Sequence, residues 1–156
     1  MTLGNLKMMV CFMALLPGFL LGQDSLDNDF LSRIDEFFSK LQSANYEQAI
    51  DFIYSDNPWI AKKYDDIQSV KDQFIGLPGL VGKYQNHTIL IEEMVADRYI
   101  FLHYFVSFER QPVSFTFEFY KPDNKWMIYS FSFADDIDTW IEERAKRKFV
   151  SLRNDK

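Results

Sequence analysis

His103 stands in the middle of a ring-rich run, Phe101-Leu102-His103-Tyr104-Phe105. An imidazole among apolar neighbours is the side chain best suited to moving a proton near neutral pH. Tyr104 and Tyr129 are the candidate hydroxyl donors to accompany it. The blander fate of such a histidine is a hydrogen bond on a sheet face or packing at an interface, and pockets bind more often than they react. No second histidine lies on the same strands, and Asp97 falls in a turn at the far end of a hairpin from His103. A paired acid and base is therefore not visible. Glu92-Glu93 places one carboxylate on each face of a strand, where edge protection is the commoner use. His87 and His103, sixteen residues apart, make no recognisable metal ligand set. No cofactor is expected. Asn86-His87-Thr88 has the pattern of a glycosylation acceptor.

The whole chain has 156 residues, with 23 acidic and 17 basic side chains and a formal net charge of −6. No surplus of cations is available to neutralise phosphates, which disfavours a nucleic-acid partner. Aromatic residues make up 17% of the chain, too much ring surface for a disordered protein and enough for a filled core or an apolar pocket. Met1–Lys7 carries one positive charge, Met8–Leu16 is apolar, and Phe19-Leu20-Leu21-Gly22 leads into polar Gln23-Asp24-Ser25. That order predicts a signal peptide over residues 1–22 and an exported protein, periplasmic or extracellular. The apolar run is too short for a membrane span, so no stable membrane insertion is expected once the leader is removed. Cys11 is the one cysteine and lies within the leader, so the remainder can form no internal disulfide. Residues 23–150 are expected to form one domain, with 151–156 a polar tail.

Positioning these side chains requires helices first and strands afterwards. Phe30, Ile34, Phe37, Phe38 and Leu41 follow helical spacing, with Asp27 or Asn28 as a cap and Ser43-Ala44-Asn45 as the stop. A shorter helix is predicted over Tyr46–Tyr54. Asn57-Pro58 opens a third, traced by Ile60, Tyr64, Ile67 and Phe74. Gly76–Gly82 reads as a helix-to-sheet connector. It lacks the Lys-Ser or Lys-Thr of a phosphate cradle. Four strands are then predicted at about Thr88–Val95, Tyr99–Glu109, Val113–Tyr120 and Trp126–Phe133, joined by turn residues. The third alternates between rings and polar side chains, whereas the second is apolar on both faces and should be covered on both. Asp135–Val150 reads as a helix with acids at its start. Its basic end, Arg144–Lys148, serves the helix dipole and solubility more naturally than an anionic membrane surface.

The segments Phe37-Phe38…Leu41…Tyr46…Ala49-Ile50, Gln111–Pro122 and Lys125–Phe133 together resemble the nuclear transport factor 2-like superfamily. The chain is most similar in character to its small exported bacterial members, a group with no agreed activity. The likeness spans roughly residues 27–134 and implies an α+β fold, with helices laid on a curved antiparallel meander to form a cone. It also implies a pocket at the open end and pairing through the outer sheet face. Catalytic relatives, such as ketosteroid isomerase-like, scytalone dehydratase-like and polyketide cyclase-like proteins, hold an Asp or His base inside the cone.

The expectation is a non-catalytic binding or scaffold module. Its pocket would be lined by Phe101, His103, Phe105, Phe115, Phe117, Tyr129 and Phe131 and would favour an apolar or aromatic small molecule. A homodimer through the outer face is expected, because a broad bare apolar face is unusual on a monomer. Two alternatives stand beside it. One, implied by the catalytic relatives, is a lyase or isomerase of the same fold with His103 as base and Tyr104 or Tyr129 as donor. The other is a purely protein-interacting dimer whose cavity is filled by its own side chains. Each assignment to a face depends on strand register, since a slip of one residue exchanges the two faces.

Overall fold

The structure is a computed structural model that describes residues 29–154. The predicted leader, Cys11 and the caps Asp27 and Asn28 lie outside the described residues. In chain order the elements are α1 (Asp29–Gln42), α2 (Tyr46–Tyr54), a short 3-10 helix (Ile60–Lys63), α3 (Tyr64–Val81), β1 (Tyr84–Val95), β2 (Tyr99–Phe108), β3 (Pro112–Tyr120), β4 (Met127–Ala134) and α4 (Ile137–Asn154). The strands form one antiparallel sheet in the order β1-β2-β3-β4. This is the α+β arrangement that the sequence pattern predicts: three helices, a four-stranded meander and a C-terminal helix.

The helical layer covers the inner face of the sheet through one aromatic core. Helix α1 contributes Phe30, Ile34, Phe37, Phe38 and Leu41, all buried. Strand β3 answers with Val113, Phe115, Phe117 and Phe119, and β2 with Ile100, Leu102, Tyr104, Val106 and Phe108. The Phe37 ring lies 5.1 Å from Phe117, 5.2 Å from Phe131 and 5.8 Å from Phe74, in tilted and edge-on geometries that suit the ring quadrupoles. Burial of each such side chain contributes about 1.5–3 kcal/mol.

Helix α3 does not end where the glycines begin. It runs through Gly76, Leu77, Pro78 and Gly79 to Val81, and only Gly82 breaks it, with φ at 88°. Burial explains the difference. Phe74, Leu77 and Val81 keep the three-and-four spacing and are all buried, so packing overrides the local preference of glycine and proline. The helix end is held from outside. Arg110 donates from Nη1 to the carbonyls of Gly79 (2.8 Å) and Leu80 (3.0 Å), and its backbone N–H donates to that of Val81 (2.9 Å). A side chain at position 82 would meet Glu109 Cβ at 2.7 Å, so the turn into β1 requires glycine.

Strand β1 starts four residues earlier than its alternation suggests, at Tyr84, and carries irregularities between Tyr84 and Asn86 and between Ile89 and Ile91. A third irregularity has more consequence. Glu118 pairs with Ser130 but Phe119 pairs with Ile128, which leaves Tyr129 as an extra residue without a partner across the ladder.

Helix α4 follows Asp135-Asp136 and returns over the outer face of the sheet. Ile137 is buried, and the Trp140 ring lies 6.1 Å from that of His103. Along α4, Lys146 pairs with Glu142 and Arg147 with Glu143, each at 3.3 Å and four residues apart. The Arg144 guanidinium sits 5.2 Å from the Trp140 ring. Much of the basic tail is thus engaged within the helix itself.

Candidate functional site

The seven residues expected to line one pocket are divided between the two faces of the sheet. Phe115, Phe117 and Phe131 point inward and are buried at the centre of the core, packed on Phe37 and Phe74. Phe101, His103 and Phe105 lie on the opposite face. Tyr129 is 62% exposed. The space between the helices and the inner sheet face is therefore filled by rings at these positions rather than hollowed by them. The physical reason is register: β2 and β3 present opposite parities to the core, and the extra residue in β4 separates Tyr129 from Phe131.

The acid–base candidates are likewise kept apart. His103 and Tyr104 are neighbours on β2 and so point to opposite faces. Nδ1 of His103 is 2.9 Å from Thr116 Oγ1, and burial lowers the imidazole pKa below 6.5, opposed only in part by Asp136. Tyr104 is buried against Phe38 and Phe117, and burial together with the nearby carboxylates Glu92 and Asp35 pushes its hydroxyl up to about 12. It is a poor proton donor in that setting. Among the described residues no group of three or more metal-ligating side chains is present.

The open site lies elsewhere, beside the free edge of β4. A cleft of about 460 Å³ separates that edge from the 3-10 helix and the start of α3. Its walls are Tyr54 and Asn57 after α2, then Trp59, Ile60, Lys63, Asp66, Ile67 and Val70. Tyr120, Pro122, Met127, Ile128, Tyr129 and Ser130 close it from the sheet. Four of these are aromatic, and Trp59 and Tyr129 expose 64% and 62% of their surface. Of the cleft residues, only Tyr129 belongs to the lining expected from the sequence, and that expectation set it in a different pocket.

Local chemistry explains the shape. The side-chain oxygen of Asn57 accepts from the backbone N–H of Trp59 (2.9 Å), while its Nδ2 donates to the carbonyl of Ile128 (2.7 Å). One asparagine therefore sets the turn that presents Trp59 and also ties it to β4. Tyr54 makes a backbone hydrogen bond to Phe131, and burial outweighs that bond to raise its hydroxyl pKa. Behind them, buried Arg33 forms an ion pair with Asp56 and donates from Nη2 to the carbonyls of Phe52 (3.2 Å) and Ile53 (2.9 Å). These contacts satisfy carbonyls at the end of α2. Lys63 and Asp66 are exposed at the cleft and form no ion pair among the described residues. The arrangement can stack a flat or apolar group against rings and meet a polar end with either sign of charge.

The signal for this site was present in Asn57-Pro58-Trp59, which sequence pattern identifies only as a helix start. What pattern could not supply is the juxtaposition of that turn with Tyr120 and Tyr129, sixty and more residues away.

Neither family models nor the sequences of curated proteins give a match to this chain. Among solved structures, the chain is similar to a Campylobacter jejuni protein provisionally named an NTF2-like transpeptidase. That match has a TM-score of 0.46 and 16% sequence identity, and it covers 65% of this chain and 96% of the other.

Proposed function

We propose that this chain is a non-catalytic binding module that takes an apolar or aromatic small molecule into the cleft between the 3-10 helix and β4. The observation that carries the reading is the exposure of Trp59 and Tyr129 across an open cleft of about 460 Å³. Large exposed rings around a concavity are the usual mark of a site rather than of packing. Lys63 and Asp66 at its rim would orient a ligand with one polar end. The leader-like order of residues 1–22 favours an exported setting for this activity. The separation of His103 from Tyr104 favours binding over acid–base catalysis.

The test uses the amphipathic dye 1-anilinonaphthalene-8-sulfonate, which combines fused rings with a single anion. Titration of the full chain should give saturable fluorescence enhancement. Trp59→Ala and Tyr129→Ala should each weaken binding by about tenfold without lowering the unfolding midpoint, because both side chains are largely in water. Lys63→Glu should weaken it further through charge. Failure of the dye to saturate, or binding indifferent to both aromatic substitutions, would overturn the reading.

A further inference from the structure

His103 is 8% exposed, and its Nε2 is buried with no hydrogen-bond partner. Nδ1 is occupied by Thr116 Oγ1. The lid over the ring is Trp140 of α4, with Phe101 stacked alongside at 6.2 Å. Few contacts hold that lid down. Ile137 is buried, and Asp136, just before the helix, accepts from Ser114 Oγ at 2.5 Å. Further along, Ile141, Phe149 and Val150 remain 53%, 69% and 48% exposed, so most of α4 adds no burial to its own docking.

From this geometry we propose that α4 is a pH-dependent cover of the outer sheet face, closed while His103 is neutral and released when the imidazole takes up a proton. The cationic ring has two N–H donors. Thr116 can accept from Nδ1–H, but Nε2–H would lie buried beneath Trp140 without an acceptor, at a substantial desolvation cost. Lifting α4 gives that N–H water.

The surrounding charges do not reverse this sign. Ile91 of β1 pairs with His103, and Glu93 lies two pairs further along, opposite Phe101. On β3, Thr116 faces the ring, and the next residue on that face, Glu118, is hydrogen-bonded to the Tyr99 hydroxyl. From the α4 side come Asp136, already engaged by Ser114, and Arg144, whose guanidinium lies 5.2 Å from the Trp140 ring. Asp136 favours the cation, yet burial is the larger influence. The docked state therefore binds the proton less readily than the undocked state. Docking is at full strength above pH 6.5, the ordinary value, and weakens as pH falls below it. The loss is up to about tenfold per pH unit until the depressed value of the docked state is passed. Release would bare His103 and the Trp140 ring that covers it.

Two measurements on the full chain test this. The His103 ring should titrate below 6.5 by nuclear magnetic resonance, and Trp140→Ala should move that midpoint up toward the ordinary value. Amide exchange across residues 137–150, corrected for intrinsic rate, should rise several-fold between pH 7.5 and 5.5. His103→Gln should flatten that rise, while His87→Gln on the other face should leave it in place. A His103 midpoint at the ordinary value overturns the proposal, as does a midpoint unmoved by Trp140→Ala. If His103→Gln does not fold, the Trp140→Ala titration decides alone.

Discussion

Asn57 Nδ2 donates to the carbonyl of Ile128 across 2.7 Å, joining the turn after α2 to the free edge of β4. The same side chain accepts from the Trp59 backbone N–H, so one residue fixes both the width of the cleft and the orientation of its most exposed ring. Asn57→Ala should cost about 1–2 kcal/mol of stability, the range for a side chain with two such bonds, one of them to a half-buried strand edge. Dye affinity should fall more than in an exposed-surface control. Denaturant melts and fluorescence titration of the same preparation check both outcomes; unchanged affinity would detach the turn from the site.

Arg33 is the buried support behind that turn. Arg33→Met keeps most of the apolar stem but removes the ion pair with Asp56 and the bonds to the carbonyls of Phe52 and Ile53. Asp56 stays partly exposed, which lets water take over its charge and limits the damage. A loss of about 2–3 kcal/mol is expected from the charged hydrogen bonds to buried carbonyls. Urea unfolding of the wild type and the variant measures it.

Phe37→Ala should be worse. Its ring is fully buried and lies against Phe38, Phe74, Phe115, Phe117 and Phe131. Truncation leaves a hole that five neighbouring rings cannot all move to close, and a cost of about 3–5 kcal/mol follows. The same vacancy offers a direct comparison of interior with cleft. If benzene stabilises Phe37→Ala but not the wild type, the native interior is closed to ligands of that size.

His87 introduces a second pH effect at the opposite side of the sheet. Its ring stacks on Phe38 with centroids 3.6 Å apart and planes 5° apart, and Nδ1 is 2.6 Å from the Tyr84 hydroxyl. Burial lowers its pKa, with Asp35 opposing. Since the folded state binds this proton less readily, the contribution to stability is complete above pH 6.5 and declines as pH falls below that value. His87→Phe should preserve the stack and make the melting temperature less sensitive to pH between 7.5 and 5.5. Calorimetry across that interval provides the check.

The helices and the meander were legible because their apolar spacing is regular: Phe30 to Leu41 on α1, and Phe115, Phe117 and Phe119 on β3, each mark a single buried face. The end of α3 was not, because Gly76, Pro78 and Gly79 signal a break while the burial that sustains the helix depends on the sheet beyond it. Tyr129 is expected from the sequence to share a pocket with Phe131, and the structure instead sets it on the wall of the cleft. Alternation assigns it to the same face as Phe131, and only the pairing of Phe119 with Ile128 reveals the added residue between them. Arg33 offered no signal at all, since an arginine on a helix is ordinarily solvated.

The residue added to β4 also divides labour within the chain. Tyr129 has no partner on β3, and its ring meets that of Tyr99 edge-on at 6.2 Å, so its replacement removes one surface ring contact but no ladder pair. If the cleft binds as proposed, substitution there changes what its wall admits while the buried rings keep their packing. Under the proposed binding role, selectivity is adjustable at Tyr129 separately from the packing of the buried core.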